Sequence, residues 1–224
     1  MPKVIFKFDK EKDLKNNHFA INFISPFEKE RKFNMFKKLD ETCKNVDYEQ
    51  CKSHIEKFHS KLYNSEIILS SEQSFQLAWE KINDEFFKRL KNITGNEFPF
   101  ENVKAYITTQ GICPYSFEEG YFMISLWSNI PKSLKTSAHE LMHLDFHKNN
   151  WEEIEKEIGK EKTNELKEAL TILLNLEFKD LWFIKDEGKK NEEQQKLRNF
   201  IKREWLKEKN YQSLLDKCVM YLKQ

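Results

Sequence analysis

The stretch TSAHELMHLDFHK, residues 136–148, decides how the chain reads. Three of the six histidines fall here within nine positions. No Gly or Pro interrupts it, and Leu141, Met142, Leu144 and Phe146 are apolar at helical intervals. The spacing predicts one helix over about 133–148, with Pro131 at its start.

On such a helix His139 and His143 stand at i and i+4, one turn apart on the same face. That spacing brings two imidazoles onto one cation. Glu140 lies about 100° around the axis, so it cannot easily ligate the same ion. It can reach a water on that ion, which is the position of a general base. The run His139-Glu140-Leu141-Met142-His143 fits the HExxH pattern of zinc metallopeptidases. A helix apolar on its other faces would carry these polar groups at a high cost unless a divalent cation neutralised them.

A catalytic zinc takes three protein ligands and leaves a fourth position open. His147 fails the geometry, because eight residues separate it from His139, about 12 Å along the axis. It is read as a substrate-side group, a support for a ligand, or a surface residue. A metzincin-like site needs a His six residues beyond His143, where Asn149 stands. Downstream, NELKEALTILLNLEFKDLW offers Glu165 and Glu168. Glu165 projects into the apolar arc of Leu166, Ala169, Leu170, Leu173 and Leu176, and Glu168 sits at its border. Periodicity does not choose between them.

The segment Glu168-Ala169-Leu170-Thr171 resembles the second motif of the gluzincins, the thermolysin-like branch of the zincins. There the third ligand is a Glu followed by a small and an apolar residue, on a helix 20 or so positions past HExxH. The resemblance implies Glu168 as that ligand and a close approach of the two helices at Ala169. It spans about 75 residues, from the strands near 102 to Phe178. It also implies one Zn²⁺, a peptide or protein substrate, and a sheet edge that binds extended peptide. GYFMISLW is the matching edge candidate, around Tyr121 to Trp127. Where the thermolysin-like enzymes place an acidic support for a zinc histidine, four residues past the Glu, this chain has Ile172. Tyr211, Arg198 and Arg203 are candidates for stabilising the oxyanion.

Around this core, VKAYITT and GYFMISLW read as strands joined through Cys113-Pro114-Tyr115. At the N-terminus VIFKF and HFAINF alternate like strands, while DKEKDLKNN between them suits a helix opening. Helices are expected from Ser25, with Pro26 in the first turn, from the N-cap Asp47 to about Tyr63, and from Ser71 to a stop at Gly95. Two helical segments follow the motif, about 151–158 and 161–177, and two amphipathic helices fill about 190–222. Few breakers, five Gly and five Pro, favour long helices. The fold class is α+β, a mostly helical zincin-like fold with a small mixed sheet beside the HExxH helix. One compact domain covers 1–224: a helical region (about 25–95), the core (about 100–178) and C-terminal helices.

Lys+Arg number 38 against 37 Asp+Glu, a balance that gives no electrostatic case for nucleic acid or an anionic membrane. No stretch is long enough to span a bilayer, and no secretory signal is read at the start, so a cytoplasmic setting is expected. Cys43, Cys51, Cys113 and Cys218 lack a CxxC spacing and are expected as reduced thiols. The function these residues imply is zinc-dependent peptide hydrolysis with Glu140 as base. The alternatives are a non-catalytic zinc-stabilised helical module and a zinc hydrolase acting on a non-peptide amide.

Overall fold

The computed structural model describes residues 1–23, 37–188 and 191–224, the side chains of residues 37, 38 and 40 excepted. The chain is α+β, mostly helical with a small mixed sheet. VIFKF does form a strand, β1 (Lys3–Phe8), burying Val4 and Phe6 on one face. HFAINF does not. It completes a helix, α1 (Lys10–Asn22), whose Asp9 cap accepts from the Lys12 N–H. The reason is a buried polar face at helical spacing, Asp13, Asn16 and Asn17. Asp13 accepts from the Thr109 N–H at 2.7 Å and from the Tyr63 hydroxyl at 2.7 Å. A strand would turn Asn16 to the face opposite Asp13 and Asn17.

The expected helix start at Ser25 and Pro26 lies outside the described residues. Within the rest of its expected span the structure describes α2 (Lys37–Cys43). The helix α3 (Tyr48–Tyr63) begins at Asp47, which accepts from the Gln50 N–H. The expected helix from Ser71 to Gly95 is two helices, α4 (Glu66–Glu80) and α5 (Asn83–Thr94), with Ser71 inside the first. Burial breaks it: Trp79 donates to Asn83 across the break and meets Phe86 edge-on at 5.3 Å. Gly95 ends α5 at φ 75°, the left-handed cap glycine favours.

The four cysteines are not all reduced. Cys43 and Cys51 form a disulfide, their Cα atoms 5.3 Å apart. Between α2 and α3 the chain turns at Asn45, φ 61°, a residue type that tolerates the left-handed region. The bridge is fully buried in a small second core of Leu14, Ile21, Leu39 and Ile55. Cys113 and Cys218 are free.

Three more strands, β2 (Asn102–Thr108), β3 (Tyr115–Ser116) and β4 (Tyr121–Ser125), complete the described sheet in the order β1-β2-β4-β3. The pairs β1/β2 and β2/β4 are parallel, and β3/β4 is antiparallel. Tyr121 to Trp127 is therefore not the edge. After β2 the chain doubles back through Pro114, whose carbonyl accepts from the Met123 N–H at 2.9 Å, so β3 takes the outer position. The opposite edge is covered by side chains of α4: Phe6 and Phe8 donate their N–H groups to Gln76 and Glu72. Such covering removes a site for unwanted strand pairing.

The registers Val4↔Val103, Phe6↔Ala105, Ala105↔Phe122 and Ile107↔Ile124 put these side chains on one face. That face belongs to the main core, which also takes Ala138, Leu141 and Met142 of α6 (Ile130–Asn149). Asn129 caps α6 and Pro131 sits in its first turn. The next span, α7 (Trp151–Leu170), is two helical segments joined at a kink at the expected break, Gly159, whose φ 79° and ψ 160° are not helical. A second break comes at Thr171, before α8 (Ile172–Glu177). The helices α9 (Glu192–Glu208) and α10 (Tyr211–Lys223) close the core from the C-terminal side. No described helix is long and apolar enough to cross a membrane.

Phe86 is fully buried against Trp79, Phe87 and Phe178. Phe86→Ala should lower unfolding stability by about 3–5 kcal/mol, a large share of a typical domain's total. A urea titration would show a lower midpoint; an unchanged midpoint would mean that this cluster is not the core.

Candidate metal centre

The α6 helix is buried on nearly every face, and His139 and His143 share one of them, ring centroids 4.3 Å apart. From α7, Glu168 reaches both: Oε1 is 3.4 Å from His143 Nε2 and Oε2 is 3.8 Å from His139 Nε2. One ligand atom from each of the three lies within 4.8 Å of the others, so the group could hold a metal ion. Ala138 of α6 and Ala169 of α7, next to Glu168, are both fully buried. Glu165 is not in the group.

The donors fit a cation. His143 is 2 % exposed, and neither ring nitrogen makes a hydrogen bond. Its Nε2 approaches Glu168 without hydrogen-bond geometry. A buried, unpaired imidazole nitrogen is costly unless something occupies its lone pair. Burial, joined by the positive charge of His139, pushes His143 down to about 3, so the ring is neutral and free to donate electrons. His139 moves the other way. Burial opposes its charge, but the hydrogen bond to Asp186 and the charges of Glu140, Asp186 and Glu168 prevail and raise its pKa. Two imidazoles and a carboxylate form a donor set suited to zinc.

Asp186 is the support that the sequence left unassigned. Its Oδ2 lies 3.0 Å from His139 Nδ1, which fixes the ring and turns Nε2 toward Glu168. The carboxylate is itself held. Arg198 donates to the Asp186 carbonyl at 2.6 Å and sits 3.3 Å from Oδ1, and the Gly188 N–H donates to Oδ1 at 3.1 Å. Asn175 clamps the Asp186 backbone from both sides. Gly188 is at φ 63°, and a Cβ there would stand 2.7 Å from the Arg198 guanidinium. Asp186→Asn should therefore weaken zinc binding about 10- to 100-fold, as removal of such outer partners does. A competition titration with a chelator measures this, and equal affinity would remove Asp186 from the site.

Glu140 stays outside the triad, one residue around the helix, and is 9 % exposed. Burial pushes its carboxyl up to about 7, with the Glu168 charge adding to the rise and His139 opposing it. His147 is no ligand. It stacks on Trp151 at 4.3 Å and its Nε2 shares a hydrogen bond with the Tyr115 hydroxyl at 2.7 Å. That hydroxyl in turn accepts from Lys167 Nζ at 2.8 Å, and Lys167 is 3.4 Å from Glu168 Oε1. The three oxyanion candidates are engaged elsewhere. Arg198 is committed to Asp186 and Thr171, Arg203 pairs with Glu204, and Tyr211 is buried in α10 near Asp145.

No protein-family model matches the chain, and no curated protein or solved structure matches it either.

Proposed function

We propose that the protein is a zinc-dependent metallopeptidase of the gluzincin kind, hydrolysing peptide bonds at the centre formed by His139, His143 and Glu168. The observation that carries this reading is the position of Glu140. A buried carboxylate stands beside three convergent ligand groups without joining them. A purely structural site has no use for a base there.

Bound by the triad, Zn²⁺ supplies a Lewis acid that polarises a carbonyl and lowers the pKa of a water. The chain's own residues do the rest. Glu140 takes the proton from the attacking water and delivers it to the leaving amine. Asp186 keeps His139 in the tautomer whose Nε2 lone pair faces the ion. The edge position of β3 among the described strands, beside the triad through Tyr115, suits an extended peptide added as a further strand. A cytoplasmic setting loses part of its support, since a Cys43–Cys51 bridge is characteristic of oxidising compartments.

Protein purified without added metal should carry about one zinc per chain. Protein that lacks zinc and takes none up on titration would rule the reading out.

A further inference from the structure

Two polar side chains beside the triad take no part in holding the ion or moving the proton. Lys167 is 4 % exposed, an ammonium buried next to Glu168. Tyr115, partly exposed on the edge strand β3, rests its ring 5.7 Å from that of His143. The geometry points to Tyr115 as the hydrogen-bond donor that meets the scissile carbonyl oxygen as it becomes negative, with Lys167 as the charge behind it. This rests on the peptidase reading.

The direction of the Lys167 bond follows from its groups, and that of the His147 bond from the imidazole tautomer. An ammonium only donates, so Lys167 Nζ gives a hydrogen bond to the Tyr115 oxygen. The hydroxyl keeps its own proton to give, and in the tautomer protonated at Nδ1 the His147 Nε2, 2.7 Å away, accepts it. His147 can only accept while neutral, and burial keeps its pKa low, at about 4. The resting hydroxyl is thus aligned and polarised, with its proton on a neutral acceptor. A negative oxygen in the cleft is a better acceptor, because charge-assisted hydrogen bonds are roughly twice as strong as neutral ones. Turning the O–H from His147 to that oxygen leaves a partly exposed imidazole that water can reach. Such an interaction is stronger in the transition state than with bound substrate, which is the condition for accelerating the reaction. Arg198, Arg203 and Tyr211 are engaged elsewhere, so none of them competes for the role.

The test uses acetohydroxamate, a small anion that binds metal centres through oxygen, with zinc-loaded protein followed by calorimetry. Tyr115→Phe should keep zinc affinity within about threefold and weaken hydroxamate binding about 10- to 100-fold, the range for a lost hydrogen bond to a charged group. His147→Gln leaves the hydroxyl and offers it another acceptor, so hydroxamate affinity should stay within about threefold of wild type. Equal hydroxamate affinity in wild type and Tyr115→Phe, with zinc bound in both, overturns this inference alone. An equal loss in Tyr115→Phe and His147→Gln also overturns it, since the cluster would then only hold the edge strand in place. Wild-type protein that binds no zinc, or that binds zinc and refuses hydroxamate, overturns the peptidase reading and this inference together.

Discussion

Glu140→Gln should lose about 10²- to 10⁴-fold in peptide hydrolysis while retaining zinc and fold. The amide cannot accept a proton from attacking water at neutral pH. Zinc should stay because Glu140 is not among the three groups that converge on the centre. Stability should hold or rise slightly, because a neutral amide replaces a carboxylate that burial already disfavours. A peptide-library digest comparing wild type, the variant and a chelated sample reads all of this at once. Equal cleavage by wild type and Glu140→Gln, with zinc in both, would end the mechanism. Cleavage that survives chelation would assign the activity to another site or a contaminant.

The second large effect separates two glutamates three residues apart. Glu168→Ala removes the only carboxylate that contacts both histidines among the described residues. Zinc affinity should fall by more than about 100-fold, beyond the loss expected for an outer partner such as Asp186. Glu165→Ala should leave zinc affinity nearly unchanged, because its side chain is outside the group. The measurement is a chelator competition on both variants. The reverse ranking would move the third ligand to Glu165 and break the match with the gluzincin motif.

The centre was legible in the sequence to the extent that it sits on regular helices. The i,i+4 pair and the adjacent glutamate follow from helical geometry alone, and α6 presents them as that geometry requires. Glu168 needed the resemblance as well, since helical projection left it tied with Glu165. What stayed hidden came from irregular backbone. Asp186 reaches His139 from a loop fixed by Asn175, Gly188 and Arg198, and no periodicity marks such a position. The available signal was weak: an acidic residue two before a glycine, downstream of the ligand helix. Tyr115 and Lys167 meet through a strand of two residues, too short to leave a pattern.

The fold divides in the same way. The strand runs 102–108 and 121–125 were readable, but their places in the sheet were not. The edge went to β3 because Pro114 turns the chain back onto β4, a pairing between segments that sequence alternation does not encode. The strand-like HFAINF became helix because its neighbours Asp13, Asn16 and Asn17 had to reach one polar cluster. The Cys43–Cys51 bridge depends on a turn at Asn45, which a search for CxxC passes over.

The most direct measurement is anomalous diffraction at the zinc edge from crystals grown with zinc. The account predicts one peak about 2.0–2.2 Å from the Nε2 atoms of His139 and His143 and from a Glu168 oxygen, with no fourth side chain on the ion. No peak at that position, or an ion closed off by a fourth protein ligand, would contradict it.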